Sequence, residues 1–198
     1  MVLSLQGCMA AGKTTAVRYL QKHAPYVHIS YEINTDVTAE IRRRHLDKNR
    51  YEDYLEIQRL WLNKEVVRYR KTKDFLCTVM DFGAEEIEFY TLNYPKTIGQ
   101  DWEIESVLHA ELEAVRACMP ARILFLDASD EVLIRHKEAD HTRSRNFFEH
   151  HLNYLLPLKR QWFLGKENVD LLNVDHLNAE ETGERVKEWV DFWNRERT

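Results

Sequence analysis

The stretch Gly7-Cys8-Met9-Ala10-Ala11-Gly12-Lys13-Thr14 has the form G-x-x-x-x-G-K-T and directly follows a short apolar run, Val2 to Gln6. Glycines let the backbone turn sharply and aim its N–H groups at a polyphosphate, while the lysine reaches the terminal phosphate oxygens and the threonine hydroxyl holds Mg²⁺. A helix predicted to begin at Lys13 adds the positive end of its dipole. The pattern therefore predicts a strand, a phosphate-binding loop and a helix, in that order.

The rest of the chain narrows the class of phosphate-binding protein. It has no Asn-Lys-x-Asp base-recognition motif of translation-type GTPases, and 198 residues leave no room for the insertions of large motor or AAA-type ATPases. A small phosphotransferase remains, which needs an acceptor pocket, a carboxylate near the attacking oxygen and cations over the phosphates. The predicted nucleotide-binding residues are Gly7, Cys8, Met9, Ala10, Ala11, Gly12, Lys13, Thr14 and Thr15.

The composition and net charge of the chain indicate what kind of protein contains this loop. The 28 Lys and Arg against 33 Asp and Glu give a net charge of −5, and 44% of the residues are hydrophobic. These values are typical of a globular protein, and we predict a single domain over residues 1–198 with a short lid at about 135–146. The mild acidity argues against sequence-independent nucleic-acid binding and against membrane-surface binding, so neither partner is expected.

The cysteines and the apolar runs indicate the compartment. Cys8, Cys77 and Cys118 are odd in number and far apart, which argues against a disulfide framework or a structural zinc site. No apolar run approaches the roughly 18 residues of a membrane span, and the first residues lack the basic segment of a secretory signal. We therefore expect a cytoplasmic protein.

Short apolar runs alternate with longer amphipathic segments along the chain. This alternation predicts an α/β fold, in which a parallel sheet is wrapped by helices in three layers. A loop holding Pro95 and Gly99 is predicted between helices over Glu85–Leu92 and Trp102–Met119. The predicted strands are Val2–Gln6, Tyr26–Ile29, Phe75–Met80, Ile123–Leu126 and Val169–Val174.

Three carboxylates follow predicted strands, at the edge where α/β sheets bind ligands. Glu32 is predicted to accept the proton of a substrate hydroxyl, and Asp81 to hold Mg²⁺ together with Thr14. The alternative for each is a helix cap or turn. For Asp127, which is followed by Ser129 at a helix start, the cap is the favoured interpretation.

Two groups of arginines are candidates for anion binding. Arg143 and Arg145 are spaced so that they can straddle a phosphate, and we predict that they form a catalytic lid, with a solvated linker as the alternative. Arg42–Arg44 lies near a helix end, where a charge run is usually a solvated face and less often an acceptor-phosphate site.

Three residues on a long helix, Tyr51–Lys71, are candidates for the acceptor pocket. Tyr54, Gln58 and Trp61 recur at about one helical turn, so an amide and two rings share a face. They can bind a heterocycle by amide hydrogen bonds and stacking, and core packing is the alternative. The long helix is also compatible with a homodimer.

Taken together, these motifs resemble the P-loop nucleoside and nucleotide kinases, the group that contains the deoxynucleoside kinases and thymidylate kinase. The resemblance extends from Gly7–Thr14 through Glu32, Gln58 and Asp81 to Arg143-Ser144-Arg145. It implies a five-stranded parallel sheet of order 2-3-1-4-5, Mg-ATP as donor, and a nucleoside or nucleoside monophosphate as acceptor. It also implies that the loop after the last strand, near Asp175, borders the adenine.

The chain departs from this family at two places. The family has an arginine after the carboxylate of the third strand, where this chain has Phe82, and Glu149 lies one residue further from Arg145 than in the family's lid pattern. We predict an ATP-dependent kinase acting on a hydroxyl of a nucleoside or deoxynucleoside. The alternatives are a nucleoside monophosphate kinase, which requires Arg42–Arg44 to face the pocket, a kinase for another hydroxylated metabolite, and an ATP-binding protein without transfer activity.

Overall fold

The computed structural model describes residues 1–140 and 147–196. Its centre is a five-stranded sheet with the order β2-β3-β1-β4-β5, in which every pair of neighbours is parallel. The predicted α/β class and strand order are confirmed. The strands are β1 Val2–Gly7, β2 His28–Ser30, β3 Thr78–Asp81, β4 Arg122–Asp127 and β5 Val169–Asn173.

The connections between the strands are helical. The helices are α1 Lys13–His23, α2 Thr35–Arg43, α3 Tyr51–Arg70, α4 Ala84–Thr97, α5 Ile104–Val107, α6 His109–Arg116, α7 Asp130–Ala139, α8 Phe148–His150, α9 Leu156–Phe163 and α10 Ala179–Glu196. A 3₁₀ turn, Lys71–Asp74, follows α3, and a π-helical segment, His151–Leu155, joins α8 to α9. In the part of the chain that the structure describes, no helix is long and apolar enough to cross a membrane.

Helices cover both faces of the sheet because successive side chains of a strand point to opposite faces. Leu3 and Leu5 of β1 are fully buried in the core that also contains residues of α1 and α10. Ser4 and Gln6 point the other way, and both donate hydrogen bonds to Glu85 in the first turn of α4. A second apolar core lies among α3, α4 and α6.

The strand register brings the phosphate-loop end of β1 next to the end of β3. Leu5 pairs with Asp81 across the sheet, and Gly7 pairs with Leu126 of β4. Glu85 fixes the turn after β3, since its Oε1 also accepts the backbone N–H of Gly83 at 2.9 Å. The carboxyl ends of the three central strands therefore form one edge, where Asp81 lies beside the loop.

The strand predicted over Phe75–Met80 was placed too early. The 3₁₀ turn at Lys71–Asp74 carries the chain outside the sheet, so that Leu76 is 78% exposed and the Phe75 ring stacks on His28. The strand itself begins at Thr78, which pairs with Val2 of β1, and continues to Asp81. Asp81 is thus the last residue of β3 rather than the residue after it.

Pro95 lies inside α4 and not in the predicted loop. Proline has no N–H, so the carbonyl of Thr91, four residues earlier, loses its helical donor. The hydroxyl of Tyr54 donates to that carbonyl at 3.0 Å, which compensates for the missing bond. The predicted helix over Trp102–Met119 is likewise two helices, α5 and α6, which meet at Leu108.

Candidate functional site

The phosphate-binding motif forms a loop between β1 and α1 whose backbone requires glycine at Gly7. This residue has a φ of +132°, and a Cβ there would lie 2.1 Å from the backbone oxygen of Leu126. Gly12, with a φ of +91°, is the residue from which α1 begins. The two glycines therefore let the loop turn tightly against β4 and present its backbone N–H groups at the start of a helix.

Lys13 places a buried ammonium at the mouth of this loop. Its Nζ donates to the carbonyls of Gly7 at 3.0 Å and Cys8 at 2.7 Å, and its side chain is 8% exposed. Burial, with a further contribution from the positive charge of Lys159, lowers the pKa of Lys13 to about 8, while Asp81 opposes the shift. A bound polyphosphate would replace the missing negative charge around this group.

Thr14 and Asp81 form the predicted metal-binding pair. The Thr14 hydroxyl donates to Asp81 Oδ2 at 3.1 Å, and the buried Asp81 Oδ1 has no hydrogen-bond partner among the described residues. Mg²⁺ binds one or two protein oxygens and completes its shell with phosphate oxygens and water, so this oxygen pair suits the ion. No group of three or more His, Cys, Asp or Glu that could hold a metal ion is found within residues 1–140 and 147–196.

Glu32 follows β2 and has the properties of a proton acceptor. The pKa of its carboxyl is raised to about 7, chiefly by burial and also by the charges of Glu86 and Asp81. A hydrogen bond from Asn34 and the charge of Arg68 oppose the rise. A carboxylate with a pKa near neutral pH is about half ionised at that pH and is a stronger base than an ordinary carboxylate. This shift suits the predicted role of Glu32, which stays a prediction.

These groups share one cavity of about 1460 Å³. The cavity runs from the loop past Asp81 and Glu32 to Gln58 and Trp61 of α3. It is also lined, at the other end of the loop, by Leu177 and neighbouring residues that follow β5. All described residues of the predicted site contribute to its lining except the side chains of Cys8 and Tyr54.

Gln58 and Tyr54, which share a helix face, have different surroundings. Gln58 is 2% exposed and faces the cavity, where its Oε1 accepts a hydrogen bond from Thr91 at 2.8 Å. Tyr54 is fully buried among the rings of the second core, and its hydroxyl donates to backbone carbonyls of α4. The placement of Tyr54 in the acceptor pocket is therefore corrected: the side chain completes the hydrogen bonding of α4 beside Pro95.

The predicted arginines fall into two cases. Arg143 and Arg145 lie outside the described residues. Arg42–Arg44 is exposed and does not line the cavity. Instead, Arg43 is paired with Glu40, and Arg44 is paired with Glu56.

Asp127, the last residue of β4, forms an ion pair with Arg160. Its carboxylate accepts hydrogen bonds from the guanidinium of Arg160 at 2.9 to 3.2 Å and from the backbone N–H of Ala128 at 3.0 Å. Asp127 thus lies at the turn after β4 and outside the cavity, as favoured, but α7 has no side-chain cap, and the carboxylate pairs with Arg160 instead.

Two charged residues of the cavity, Lys159 and Glu86, were missed by the sequence analysis. The Lys159 ammonium, on α9, lies 2.7 Å from Glu86 Oε2, and both side chains line the cavity. One signal was available in the sequence: Lys159 lies four residues from both Leu155 and Phe163, in an otherwise apolar stripe. A lysine in such a stripe is buried, and burial of a charge requires a partner.

Arg68 was also missed, and it stabilises the backbone beside the predicted metal-binding pair. Its guanidinium donates to the carbonyls of Ser30 at 2.9 Å and Phe82 at 2.7 Å, and to Glu65 at 3.0 Å. Phe82 has a φ of +46°, which a bulky residue rarely adopts. The arginine thus joins the ends of β2 and β3 and stabilises the turn that aims the Phe82 ring toward Lys13, whose Nζ lies 5.4 Å from the ring centroid.

Solved structures share this architecture over nearly the whole chain. A deoxyadenosine kinase from M. mycoides with bound dATP superposes with a TM-score of 0.73, at 14% identity over 96% of this chain and 100% of that one. The same kinase with dCMP and dCDP bound gives a TM-score of 0.70 at 14% identity, over 97% and 100% of the two chains. The fold is that of the P-loop nucleoside and nucleotide kinases.

Another P-loop kinase supports the same assignment of fold. The thymidylate kinase of Candida albicans matches with a TM-score of 0.65 at 11% identity, over 96% of this chain and 91% of that one. No protein-family model matches the sequence, and no curated protein matches it significantly. The kinase fold is thus evident in the structure, whereas the sequence identity to these proteins is only 11–14%.

Proposed function

We propose that this protein is an ATP-dependent kinase that transfers the γ-phosphoryl group to a hydroxyl of a nucleoside or deoxynucleoside. One observation carries the proposal: a single cavity of about 1460 Å³ joins the phosphate loop to Glu32, Gln58 and Trp61. Pockets for one small ligand usually measure roughly 300–1000 Å³. The larger volume here suits a donor and an acceptor bound together.

The donor is expected to bind at the loop. The loop N–H groups and Lys13 bind the phosphates, and the residues after β5, near Leu177, line the part of the cavity where the adenine is expected. Thr14 and Asp81 would hold Mg²⁺, which supplies positive charge to the phosphate oxygens when bound. Arg143 and Arg145 are proposed to complete the positive charge as a lid.

The acceptor is expected to bind beside Glu32. Its hydroxyl gives a proton to the Glu32 carboxylate, the hydroxyl oxygen forms a bond to the γ-phosphorus, and the bond from that phosphorus to the bridging oxygen of ADP breaks. The amide of Gln58 and the ring of Trp61 provide hydrogen bonding and stacking for a heterocycle. The similar deoxyadenosine kinase binds deoxynucleotides, which supports a deoxynucleoside as acceptor here.

The alternatives have less support. A nucleoside monophosphate kinase needs cations for the acceptor phosphate, and Arg42–Arg44 is exposed rather than facing the cavity. The alternative of an ATP-binding protein without transfer activity rests on Phe82, which supplies no charge at the position where the similar kinases have an arginine.

A coupled assay of ADP release tests the proposal. The purified chain is incubated with Mg-ATP and, in turn, each common nucleoside, deoxynucleoside and nucleoside monophosphate. We expect at least one nucleoside or deoxynucleoside to stimulate ADP release well above the rate with ATP alone. Stimulation by monophosphates alone would instead support the nucleotide kinase, and binding of ATP without stimulation by any acceptor would contradict the kinase proposal.

A further inference from the structure

A buried ion pair lies beside the phosphate loop. The ammonium of Lys159 is 2.8 Å from Glu86 Oε1 and 2.7 Å from Glu86 Oε2, and the lysine side chain is 1% exposed. Removing two charges from water costs several kcal/mol for each ion, so a buried pair is weak evidence for a role in stability. Its position in the site therefore suggests a function.

The pair lies on the same cavity as the groups that would hold the phosphates. Glu86 is in the first turn of α4, just after the β3 end that carries Asp81, and Lys159 approaches it from α9. After burial itself, the charge of Lys159 is the largest cause that lowers the pKa of Lys13. The two lysines thus line one cavity, and their charges act on each other.

The residue after Asp81 supplies no second positive charge beside Lys13. Phe82 follows Asp81 in the chain and contributes a ring, not a charge, near the Lys13 ammonium. Lys159 has three N–H groups, and its contacts with Glu86 use one side of the ammonium. An N–H group therefore remains for a phosphate oxygen in the cavity.

We propose that Lys159 binds the terminal phosphoryl group of the donor and stabilises the charge on it during transfer. Glu86 is the positioning residue, because it holds the ammonium at the cavity wall. The inference rests on the proposed function, because it takes ATP as the donor. It assigns a phosphate-binding cation to α9, which neither the loop motif nor the predicted lid indicates.

The test compares the affinity for ATP with the affinity for ADP, which lacks the terminal group. In Lys159→Met, measured by calorimetry with Mg²⁺, we expect the Kd for ATP to rise about 10-fold or more and the Kd for ADP to change by less than about 3-fold. Lys166→Met is the matched control, since Lys166 is exposed and does not line the cavity. Equal changes for both nucleotides, or none, would overturn the inference.

A second variant keeps the test valid if an unpaired Glu86 prevents folding. Lys159→Met/Glu86→Gln replaces the ion pair by neutral groups of similar size, which is a change that buried pairs often tolerate. We expect the same selective loss of ATP affinity in this double variant. Its absence in a folded double variant, judged by thermal unfolding, would contradict the proposal.

Kinetics separate this inference from the proposed function. With an acceptor that the wild-type chain phosphorylates, Lys159→Met should lower kcat by about 10-fold or more with little change in the KM of the acceptor. An unchanged kcat would overturn the role of Lys159 while leaving the kinase intact. Selective loss of ATP affinity in a protein that phosphorylates no acceptor would instead contradict only the proposed function.

Discussion

The hydroxyl of Thr14 donates a hydrogen bond to Asp81 Oδ2 at 3.1 Å, which joins the first turn of α1 to the end of β3. The other oxygen of Asp81 is buried and has no hydrogen-bond partner among the described residues. Buried carboxylate oxygens are normally satisfied, so an oxygen left over beside a phosphate loop suits a bound cation. This pair is the position that we propose for Mg²⁺.

Removing the Thr14 hydroxyl should weaken the response to Mg²⁺. In Thr14→Val, we expect the half-saturating Mg²⁺ concentration to rise and kcat/KM to fall by about 10-fold or more, because one proposed metal ligand is lost. Steady-state rates over a Mg²⁺ titration measure both. Thr35→Val is the control, since Thr35 is exposed and does not line the cavity. A Mg²⁺ response equal to that of the wild type would contradict the metal-binding role.

The raised pKa of Glu32 predicts a pH profile. Its pKa of about 7 means that the ionised, proton-accepting form is lost as pH falls through about 7, so kcat/KM for the acceptor should fall in that range. Glu32→Gln should lower kcat by about 100-fold or more and abolish this limb of the profile. Retention of most of the kcat would refute the base role.

The same residue links function to stability. Because the folded-state pKa of Glu32 is raised above its ordinary value, ionisation of this carboxyl destabilises the folded protein as pH rises from about 4.5 to about 7. Glu32→Gln should therefore raise the melting temperature at about pH 8 and have a smaller effect at about pH 5. Thermal unfolding at the two pH values checks this, and equal effects at both would contradict it.

Gly7 should be intolerant of any side chain. In Gly7→Ala, the added Cβ would lie 2.1 Å from the backbone oxygen of Leu126, at a positive φ, so the loop or β4 must shift. We expect a loss of about 2 kcal/mol or more in the free energy of unfolding. Gly99→Ala is the comparison: it also has a positive φ, but nothing lies within 4 Å of the new Cβ, so about 1 kcal/mol is expected. Equal losses in a denaturant titration would argue against the clash.

Tyr54 and Pro95 should be energetically coupled. Tyr54→Phe keeps the ring but removes the hydroxyl that donates to Thr91, which should cost about 1–2 kcal/mol and leave the KM of the acceptor unchanged. In Pro95→Ala, the restored N–H can donate to the same carbonyl, so Tyr54→Phe should cost less in that background. A double-mutant cycle measures the difference. A raised KM in Tyr54→Phe would instead return Tyr54 to the acceptor pocket.

The fold was predictable because its signals are local. The loop motif determines the start of α1, and fully apolar runs indicate buried strands, so the strand order follows once the family resemblance is recognised. The errors arose where tertiary contacts override local preference. Pro95 is tolerated in α4 because Tyr54, from another helix, satisfies the freed carbonyl. Phe75 and Leu76 have the apolarity of a strand but lie outside the sheet.

The site was predictable to the extent that its residues follow strands. Glu32 and Asp81 come directly from the ends of β2 and β3, and the structure brings both to the cavity. Arg68 lies near the end of α3 and Lys159 in the middle of α9, where a charge usually faces solvent. Their burial depends on partners far away in sequence, such as Ser30 for Arg68 and Glu86 for Lys159, and no local pattern specifies these pairs.

The most direct test of the account follows the labelled γ-phosphoryl group of ATP to a nucleoside or deoxynucleoside. Wild-type protein and Lys22→Ala, a control at an exposed position of α1, should both produce labelled nucleoside monophosphate. Lys13→Ala should reduce this product by about 1000-fold or more while it unfolds in the same cooperative transition. Undiminished transfer by Lys13→Ala, or no labelled product from the wild type with any acceptor, would contradict the central claim.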